Sequence, residues 1–140
     1  MFTNSHFALA THVLAVLTIR DEGPVTSAQL AQSINTNPAF LRALLGRLKK
    51  AGLVEVTLGK GGGAMLAKPA KKISLHDVYR AVDPEPERCL HRCEPNAECV
   101  VGRNITTVLD DVMDEVESAV AKKLARRNVQ DVAEELLALG

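Results

Sequence analysis

The chain has 140 residues, of which 46% are hydrophobic and only 3% aromatic, and its 17 basic and 17 acidic side chains cancel. This length suits one domain with a largely aliphatic core. No apolar run approaches the roughly 20 residues that a membrane span needs. The N-terminal segment lacks the basic region and the cleavage site of a signal peptide. We therefore expect a cytoplasmic protein that does not contact a membrane.

The balanced net charge hides a difference between the two halves of the chain. Residues 1–82 carry ten Lys and Arg against four Asp and Glu, a balance of +6. Residues 83–140 carry seven basic and thirteen acidic side chains, a balance of −6. Such an asymmetry is typical of a protein in which only one part meets a polyanion.

Three helices are predicted in the first fifty residues. Apolar side chains at helical spacing predict the first helix over residues 4–20. Thr26 and Ser27 are suited to cap a second, short helix. Asn37 and Pro38 predict the start of a third helix, with Asn37 as its cap and Pro38 as its first helical residue. Four leucines at helical spacing give this third helix one buried face.

A hairpin and a fourth helix follow. Residues 53–58 and 64–67 read as two short strands around the glycine-rich tip Gly59–Gly63, and Ser74 is placed to cap the fourth helix. Three helices followed by a hairpin is the order of a winged helix-turn-helix domain, here residues 1–82. The expected fold class is therefore mainly α with a small β-hairpin.

The acidic half divides into a loop and a long helix. Residues 83–103 lose helical periodicity and contain all three cysteines, so we expect a sensor loop there. Residues 104–140 regain the periodicity, with a long amphipathic helix from Ile105 and a shorter helix after Asn128. A small domain cannot cover so long an apolar stripe, which predicts a dimerisation helix and a homodimer.

The third helix is predicted to be the recognition helix. Ala39 and Arg42 lie one turn apart on one face, where Arg pairs with guanine and Ala meets a thymine methyl group. The start of the second helix and Lys60 in the glycine tip are expected to contact phosphates. A solvated basic face is the alternative. The predicted DNA contacts are Thr26, Ser27, Asn37, Ala39, Phe40, Arg42, Arg47, Lys60, Gly61 and Gly62.

The cysteines form a second candidate site. Cys89, Cys93 and Cys99 have the spacing C-x3-C-x5-C, with His91 between the first two. Several thiolates in one loop suit an iron–sulfur cluster, and three Cys with one His would also hold zinc. Neighbouring basic side chains would instead lower a thiol pKa and favour oxidation sensing. Four interpretations of the three cysteines therefore stay open: iron–sulfur ligands, zinc ligands, an oxidation sensor and ordinary thiols.

Five stretches carry a resemblance that extends over essentially the whole chain. They are NSHFALATHVL in the first helix, NTNPAFLRALLGRLKKAGLV in the third, LGKGGGAML in the hairpin, KPAKKISLHDVYRAVD in the fourth helix and CEPNAECVVGRNI before the long helix. The chain resembles the Rrf-two (Rrf2) family of bacterial winged-helix transcription regulators, the group of the IscR, NsrR and CymR regulators. NTNPAFLR and PNAECVVG are most similar to its YwnA-like branch.

The resemblance implies a homodimer that reads a palindrome in double-stranded DNA. It implies base contacts by Ala39 and Arg42, and a wing of residues 59–63 in the minor groove. Cluster-binding members usually space their cysteines C-x5-C-x5-C, whereas the first gap here is three residues. The resemblance places His6 near an N-terminal ligand position of the family, so His6 joins His91 as a candidate fourth ligand.

We therefore expect a sequence-specific transcription regulator, a repressor, whose operator binding responds to the redox or iron–sulfur state of the loop from Cys89 to Cys99. One alternative is a thiol-oxidation sensor without a cluster. An alternative of another class is a protein–protein adaptor built on the winged-helix scaffold. The sequence lacks a paired acid/base constellation, a nucleophile elbow and a metalloprotease motif, so no enzyme is expected.

Overall fold

The computed structural model describes residues 4–83 and 93–140 of the chain. Within these ranges six α-helices and one antiparallel hairpin confirm the mainly α class with a small hairpin. In chain order the elements are α1 (His6–Ile19), α2 (Ser27–Ile34), α3 (Pro38–Lys50), β1 (Val54–Thr57), β2 (Gly63–Leu66), a 3-10 helix (Ala70–Lys72), α4 (Leu75–Val82), α5 (Val100–Ala125) and α6 (Val129–Ala138).

Four helices, α2, α3, α4 and α6, begin where capping side chains in the sequence predict a helix start. The Thr26 hydroxyl accepts a hydrogen bond from the backbone of Gln29 at 3.2 Å, and the Gln29 side chain accepts one from the backbone of Thr26 at 2.9 Å. The Asn37 side chain accepts from the backbone N–H two residues later at 2.7 Å. Ser74 and Asn128 each form a reciprocal capping box with the aspartate three residues on. These local bonds fix where α2, α3, α4 and α6 start.

The core is aliphatic and lies among α1, α2, α3, α4 and the hairpin. Helix α3 contributes one complete buried face, formed by Leu41, Leu44, Leu45 and Leu48. Helix α1 faces it with Val13 and Leu14, both fully buried. Because four leucines hold one side of α3 against the core, the opposite side of α3 must face solvent.

The hairpin is attached at its base to the segment before α2. Val54 pairs with Leu66 and Thr57 with Gly63. Val25 adds a bridge to Ala64, with N–H to carbonyl distances of 2.8 and 3.0 Å. Gly63 has φ +151°, and a Cβ at this position would lie 2.5 Å from the Val25 carbonyl oxygen. The absence of a side chain at Gly63 therefore allows this attachment.

Helix α5 begins earlier than the sequence predicts. Its first residue is Val100 rather than Ile105, so the last four residues of the expected loop are helical. A glycine has a structural role in the first turn of this helix. A Cβ on Gly102 would lie 2.1 Å from the Asn96 carbonyl oxygen, so Gly102 lets the preceding segment pack onto the helix start. The loop is therefore shorter than 83–103.

Helix α6 packs against α1 and the 3-10 helix. Val129 and Ala133 are buried, and the Val129 N–H donates to the Ile73 carbonyl at 2.9 Å. The Leu75 N–H donates to the Arg127 carbonyl at 2.8 Å. The C-terminal helix thus completes the core of the N-terminal half. Among the described helices, none combines the length and the apolar character that a membrane-spanning segment needs.

Candidate nucleic-acid interface and cysteine segment

The outward face of α3 is built from small side chains beside a guanidinium group. Ala39, Ala43 and Gly46 are exposed at spacings of four and three residues, opposite the buried leucines. A Cβ on Gly46 would meet no atom within 4 Å, so this side of the helix is open. Because small side chains let a helix backbone approach the edges of bases closely, this face fits the major groove.

Arg42 lies at one edge of this outward face. Its side chain is exposed, and no hydrogen bond or ion pair within the described part of the chain engages it. Its guanidinium is therefore available for bidentate pairing with an external acceptor. The structure places Arg42 and Ala39 on the same side of α3, as their spacing predicts.

Among the predicted DNA contacts at the starts of α2 and α3, some side chains already form hydrogen bonds within the chain and others do not. The Thr26 hydroxyl oxygen already accepts from the backbone of Gln29, and the Asn37 side chain already caps α3. Ser27 is exposed at the first position of α2, where backbone N–H groups have no partner within the helix. Ser27 and its N–H are thus better placed than Thr26 to meet a phosphate.

The tip of the hairpin is narrow and exposed. Lys60 and Gly61 are exposed, and the Gly62 N–H donates to the Gly59 carbonyl at 3.1 Å. A Cβ on Gly62 would lie 2.2 Å from the Thr57 carbonyl oxygen. This turn therefore requires glycine, and it presents Lys60 to solvent at the end of the wing.

Phe40 and Arg47 lie on a different side of α3, facing α1 and α4. The Phe40 and His6 ring centroids are 5.4 Å apart. The Arg47 Nη1 atom lies 3.2 Å from His6 Nδ1 and 3.2 Å from the Val82 carbonyl oxygen. Because a guanidinium only donates, His6 Nδ1 is the acceptor. The assignment of Phe40 and Arg47 as DNA contacts stays a prediction.

Only part of the predicted cysteine site belongs to the described structure. Cys89 and His91 lie outside the described residues. Cys93 and Cys99 are exposed free cysteines. Within residues 4–83 and 93–140, no three or more His, Cys, Asp or Glu side chains are arranged to hold a metal ion. The described residues alone therefore do not form a metal site.

Cys99 occupies the N-cap position of the 26-residue helix α5. The nearby backbone N–H groups of Gly102 and then Val101 lower the pKa of its thiol below the ordinary value, although the thiol accepts no capping hydrogen bond from the helix. Those N–H groups have no partner within the helix, and the helix dipole also favours a negative charge here. Asn96 supports this geometry, since its carbonyl accepts from the Cys99 N–H at 3.3 Å. Cys99 thus combines exposure with a stabilised thiolate, the two properties of a reactive cysteine.

The long helix carries a second exposed feature, an apolar stripe. No residue of α5 is buried. The largest apolar exposures on α5 are at Val100 and Val101 (66% each), Val108 (55%) and Val112 (46%), of which Val101, Val108 and Val112 follow helical spacing. Asp114 and Ala121 line a cleft against α4, on a different side of the helix from the stripe. Within residues 4–83 and 93–140, the valines of this stripe stay exposed.

Sequence reasoning missed two features of these surfaces. It did not include Ala43 and Gly46 among the predicted DNA contacts, although their spacing from Ala39 marks the centre of the outward face. It also did not link Arg47 to His6, because the two residues are 41 positions apart. The first feature was readable from helical spacing, whereas the second depends on the packing of α1 against α3.

Comparison with known proteins is consistent with these features. The model of the Rrf2 family, described as an iron-dependent transcriptional regulator, matches residues 3–135. The chain is 35% identical to YwnA of Bacillus subtilis (strain 168), which is named as an HTH-type transcriptional regulator, over 95% of this chain and 98% of the relative. It is 31% identical to the HTH-type transcriptional regulator IscR of Pectobacterium carotovorum, over 89% and 79% of the two chains.

The fold also matches solved structures. CymR, described as the global cysteine regulator of B. subtilis, superimposes with a TM-score of 0.71. The superposition covers 96% of this chain and 98% of CymR, at 21% sequence identity. At this identity the match shows a shared fold, and it confirms the winged helix-turn-helix architecture with a long following helix.

Proposed function

The chain belongs to the Rrf2 family of transcriptional regulators, and from this premise we propose that it is a cytoplasmic, homodimeric repressor that binds palindromic double-stranded DNA. The observation that carries this proposal is the outward face of α3, where Ala39, Ala43 and Gly46 permit close approach beside Arg42. Regulation of transcription, rather than enzymatic activity, is the function of the family and of the relatives.

Each element of the interface has a distinct part in DNA binding. Helix α3 enters the major groove, with Arg42 pairing to guanine and Ala39 against a thymine methyl. Ser27 and the N-terminal N–H groups of α2 hold a phosphate. Lys60, Gly61 and Gly62 bring the wing to the adjacent minor groove, where Lys60 supplies charge.

The exposed stripe of α5 supports the dimer. At 1.5 Å per residue, 26 helical residues extend about 39 Å. Two copies that pack Val108 and Val112 together would remove both stripes from water. The two-fold symmetry of such a dimer would repeat α3, giving two recognition helices for two half-sites. Half-sites about 34 Å apart, one helical turn, are then expected.

A selection and binding experiment tests the DNA contacts. Duplexes enriched from a random library by the wild-type chain are titrated with Arg42→Ala and with Lys122→Ala, which removes the same charge from α5. Loss of a bidentate pair costs about 1–3 kcal/mol. Arg42→Ala should therefore bind roughly 5- to 150-fold more weakly and lose base preference at one position, whereas Lys122→Ala should bind as the wild type does.

The same experiment separates the regulator from the adaptor. Binding through phosphates weakens steeply with added salt, and Lys60→Ala should reduce the salt slope by about one while lowering affinity evenly across sequences. A chain that enriches no duplex at low salt would be an adaptor that uses the winged-helix scaffold. Equal binding by Arg42→Ala and Lys122→Ala would remove Arg42 from the interface.

We further propose that DNA binding responds to the redox state of the cysteine segment through Cys99. The thiolate favoured at the start of α5 would attack a peroxide oxygen, giving sulfenic acid and releasing the other oxygen as water after protonation. Exposure and the lowered thiol pKa support this role. Since Cys99 caps the helix that carries the apolar stripe, a change of its charge acts at the base of the dimer helix.

An iron–sulfur cluster is the second candidate for the sensing group. Three cysteines within eleven residues supply enough thiolates, with His6 or His91 as the fourth ligand. The engagement of His6 Nδ1 by Arg47 means that ligation through this atom would break that hydrogen bond. When bound, such a cluster would supply an electron-transfer or oxygen-sensitive centre.

Anaerobic purification decides between the two sensors. Visible absorption with stoichiometric iron and sulfide would establish a cluster, and Cys89→Ser, Cys93→Ser and Cys99→Ser should then each remove it. Zinc without colour would indicate a structural Cys₃His site. A metal-free protein whose DNA affinity changes with peroxide in wild type, but not in Cys99→Ser, would establish thiol sensing. No response to peroxide or iron would contradict both forms of the proposal.

A further inference from the structure

A cleft of about 620 Å³ lies between α1, the second half of α3 and the end of α4. Its basic side chains come from three helices: His6 on α1, Arg47 and Lys50 on α3, and Arg80 on α4, with Asn4 and Asp83 as the other polar lining residues. Its volume lies within the range of small-molecule sites, about 300–1,000 Å³. None of the residues that line the cleft lies on the outward face of α3 formed by Ala39, Arg42, Ala43 and Gly46.

The described lining of this cleft is positive on balance. Arg47, Lys50 and Arg80 line it, and within residues 4–83 and 93–140 no ion pair engages any of the three. Asp83 also lines the cleft, so three positive side chains stand against one carboxylate. Three cations held around one cleft repel each other, and an anion between them would relieve this repulsion.

One of the three cations is held in a fixed position. Arg47 donates from Nη1 to His6 Nδ1 and to the Val82 carbonyl, each at 3.2 Å. The His6 ring in turn lies against Phe40, with centroids 5.4 Å apart. These contacts hold the guanidinium at the edge of the cleft while its other N–H donors remain available. A guanidinium ordered before binding loses little entropy when it binds an anion.

We propose that this cleft binds a small multivalent oxyanion. Arg47 supplies the oriented guanidinium, and Lys50 and Arg80 supply mobile charge-assisted donors from either side. Phosphate and carboxylate groups share the required chemistry, namely several anionic oxygens within a few ångströms. The site does not depend on DNA binding, so failure of either proposal leaves the other to be judged on its own experiment.

Titration of the full chain with inorganic phosphate and with citrate tests the proposal. Ionic strength is held constant with chloride, and backbone amide chemical shifts are followed by NMR. Saturable shifts are expected at Ala51, Ala81 and Val82, which line the cleft. Saturation with phosphate alone would indicate a phosphate-bearing ligand, and saturation with citrate alone a polycarboxylate. The absence of saturable shifts at these amides with either anion would overturn the proposal.

Charge-matched variants separate a site from general attraction. Arg80→Gln and Lys50→Gln each remove one cation from the cleft, and Lys49→Gln removes one from the same helix outside it. We expect affinity to fall at least about fivefold in Arg80→Gln and in Lys50→Gln, and to change less than about twofold in Lys49→Gln. All three residues are exposed, so the variants should fold, as circular dichroism will verify. Equal losses in the three variants would contradict a specific site.

Discussion

Helices α3 and α5 are both amphipathic, yet their apolar faces have different environments. In α3 the leucines are buried within one chain, whereas α5 buries no residue. The difference follows from what surrounds each helix. α3 packs against α2, α4 and β1. Among the described elements, α5 packs extensively only against α4, on a different side from its apolar stripe.

This contrast separates two sources of stability. The N-terminal half, with α6 added, completes its core from its own residues. The stripe of α5 remains exposed in one chain, and a monomer would present it to water at a cost that grows with apolar area. Folding of the DNA-binding half and formation of the dimer should therefore respond to different substitutions.

The largest expected effect is on folding. Leu41 is fully buried in α3, and Leu41→Ala should lower the free energy of unfolding by about 2–5 kcal/mol because it leaves a cavity. Leu137→Ala, at a residue 63% exposed on α6, should change it by less than about 0.5 kcal/mol. Urea unfolding at one fixed protein concentration measures both. Similar losses in the two variants would contradict the assigned core.

The second-largest expected effect is on the association of two chains into a dimer. Val112→Asp places a carboxylate in the apolar stripe of α5, and burying an unpaired charge is unfavourable. We expect this variant to be monomeric at micromolar concentration by light scattering, with its helical content retained. Thr107→Asp makes the same change on another side of α5 and should remain dimeric. A dimeric Val112→Asp would show that this stripe is not the interface.

A smaller effect concerns Tyr79, the one tyrosine in a chain without tryptophan. Burial, then the nearby Asp83 carboxylate, raises the pKa of its phenol in the folded state. The folded state then binds the proton more tightly, so stability should fall as pH rises above about 10, the unfolded value. Absorbance at 295 nm should show a higher midpoint in native protein than in urea. Coincident midpoints would contradict this, and Tyr79→Phe should show no such titration.

The smallest expected effect is at Cys99, whose thiol pKa is lowered by the N–H groups of Gly102 and Val101. With Cys89 and Cys93 replaced by Ser, the pH midpoint of iodoacetamide alkylation should be lower in native protein than in urea. The stability that this thiolate contributes is present above the unfolded pKa and is lost as pH falls through the folded pKa. Equal midpoints would show that the start of α5 does not stabilise the thiolate.

Much of the fold was predictable because its signals are local. Capping side chains at Thr26, Asn37 and Ser74 marked the starts of α2, α3 and α4, and the structure confirms them. The start of α5 was wrong by five residues because Gly102, a poor helix former, is required there by the approach of the Asn96 carbonyl. That approach involves no periodic pattern, so sequence spacing did not reveal it.

The candidate DNA-binding site also combines features that the sequence predicts with features that depend on tertiary packing. Helical spacing placed Ala39 and Arg42 on one side of α3, as observed. It did not separate Arg42, which faces solvent, from Arg47, which donates to His6 and the Val82 carbonyl. The two arginines are five residues apart on one helix, and only the packing of α1 and α4 beside α3 gives them different partners.

The sequence by itself determined the class of fold, the starts of α2, α3, α4 and α6 and the outward side of α3, because periodicity and capping act over a few residues. Only the tertiary structure decided the contacts between distant segments. It joined α6 to the core through Val129 and Ile73, and it formed the basic cleft from three helices. The physical reason is that such contacts depend on how whole helices pack, and this packing is set by the shape of a shared core rather than by any one segment.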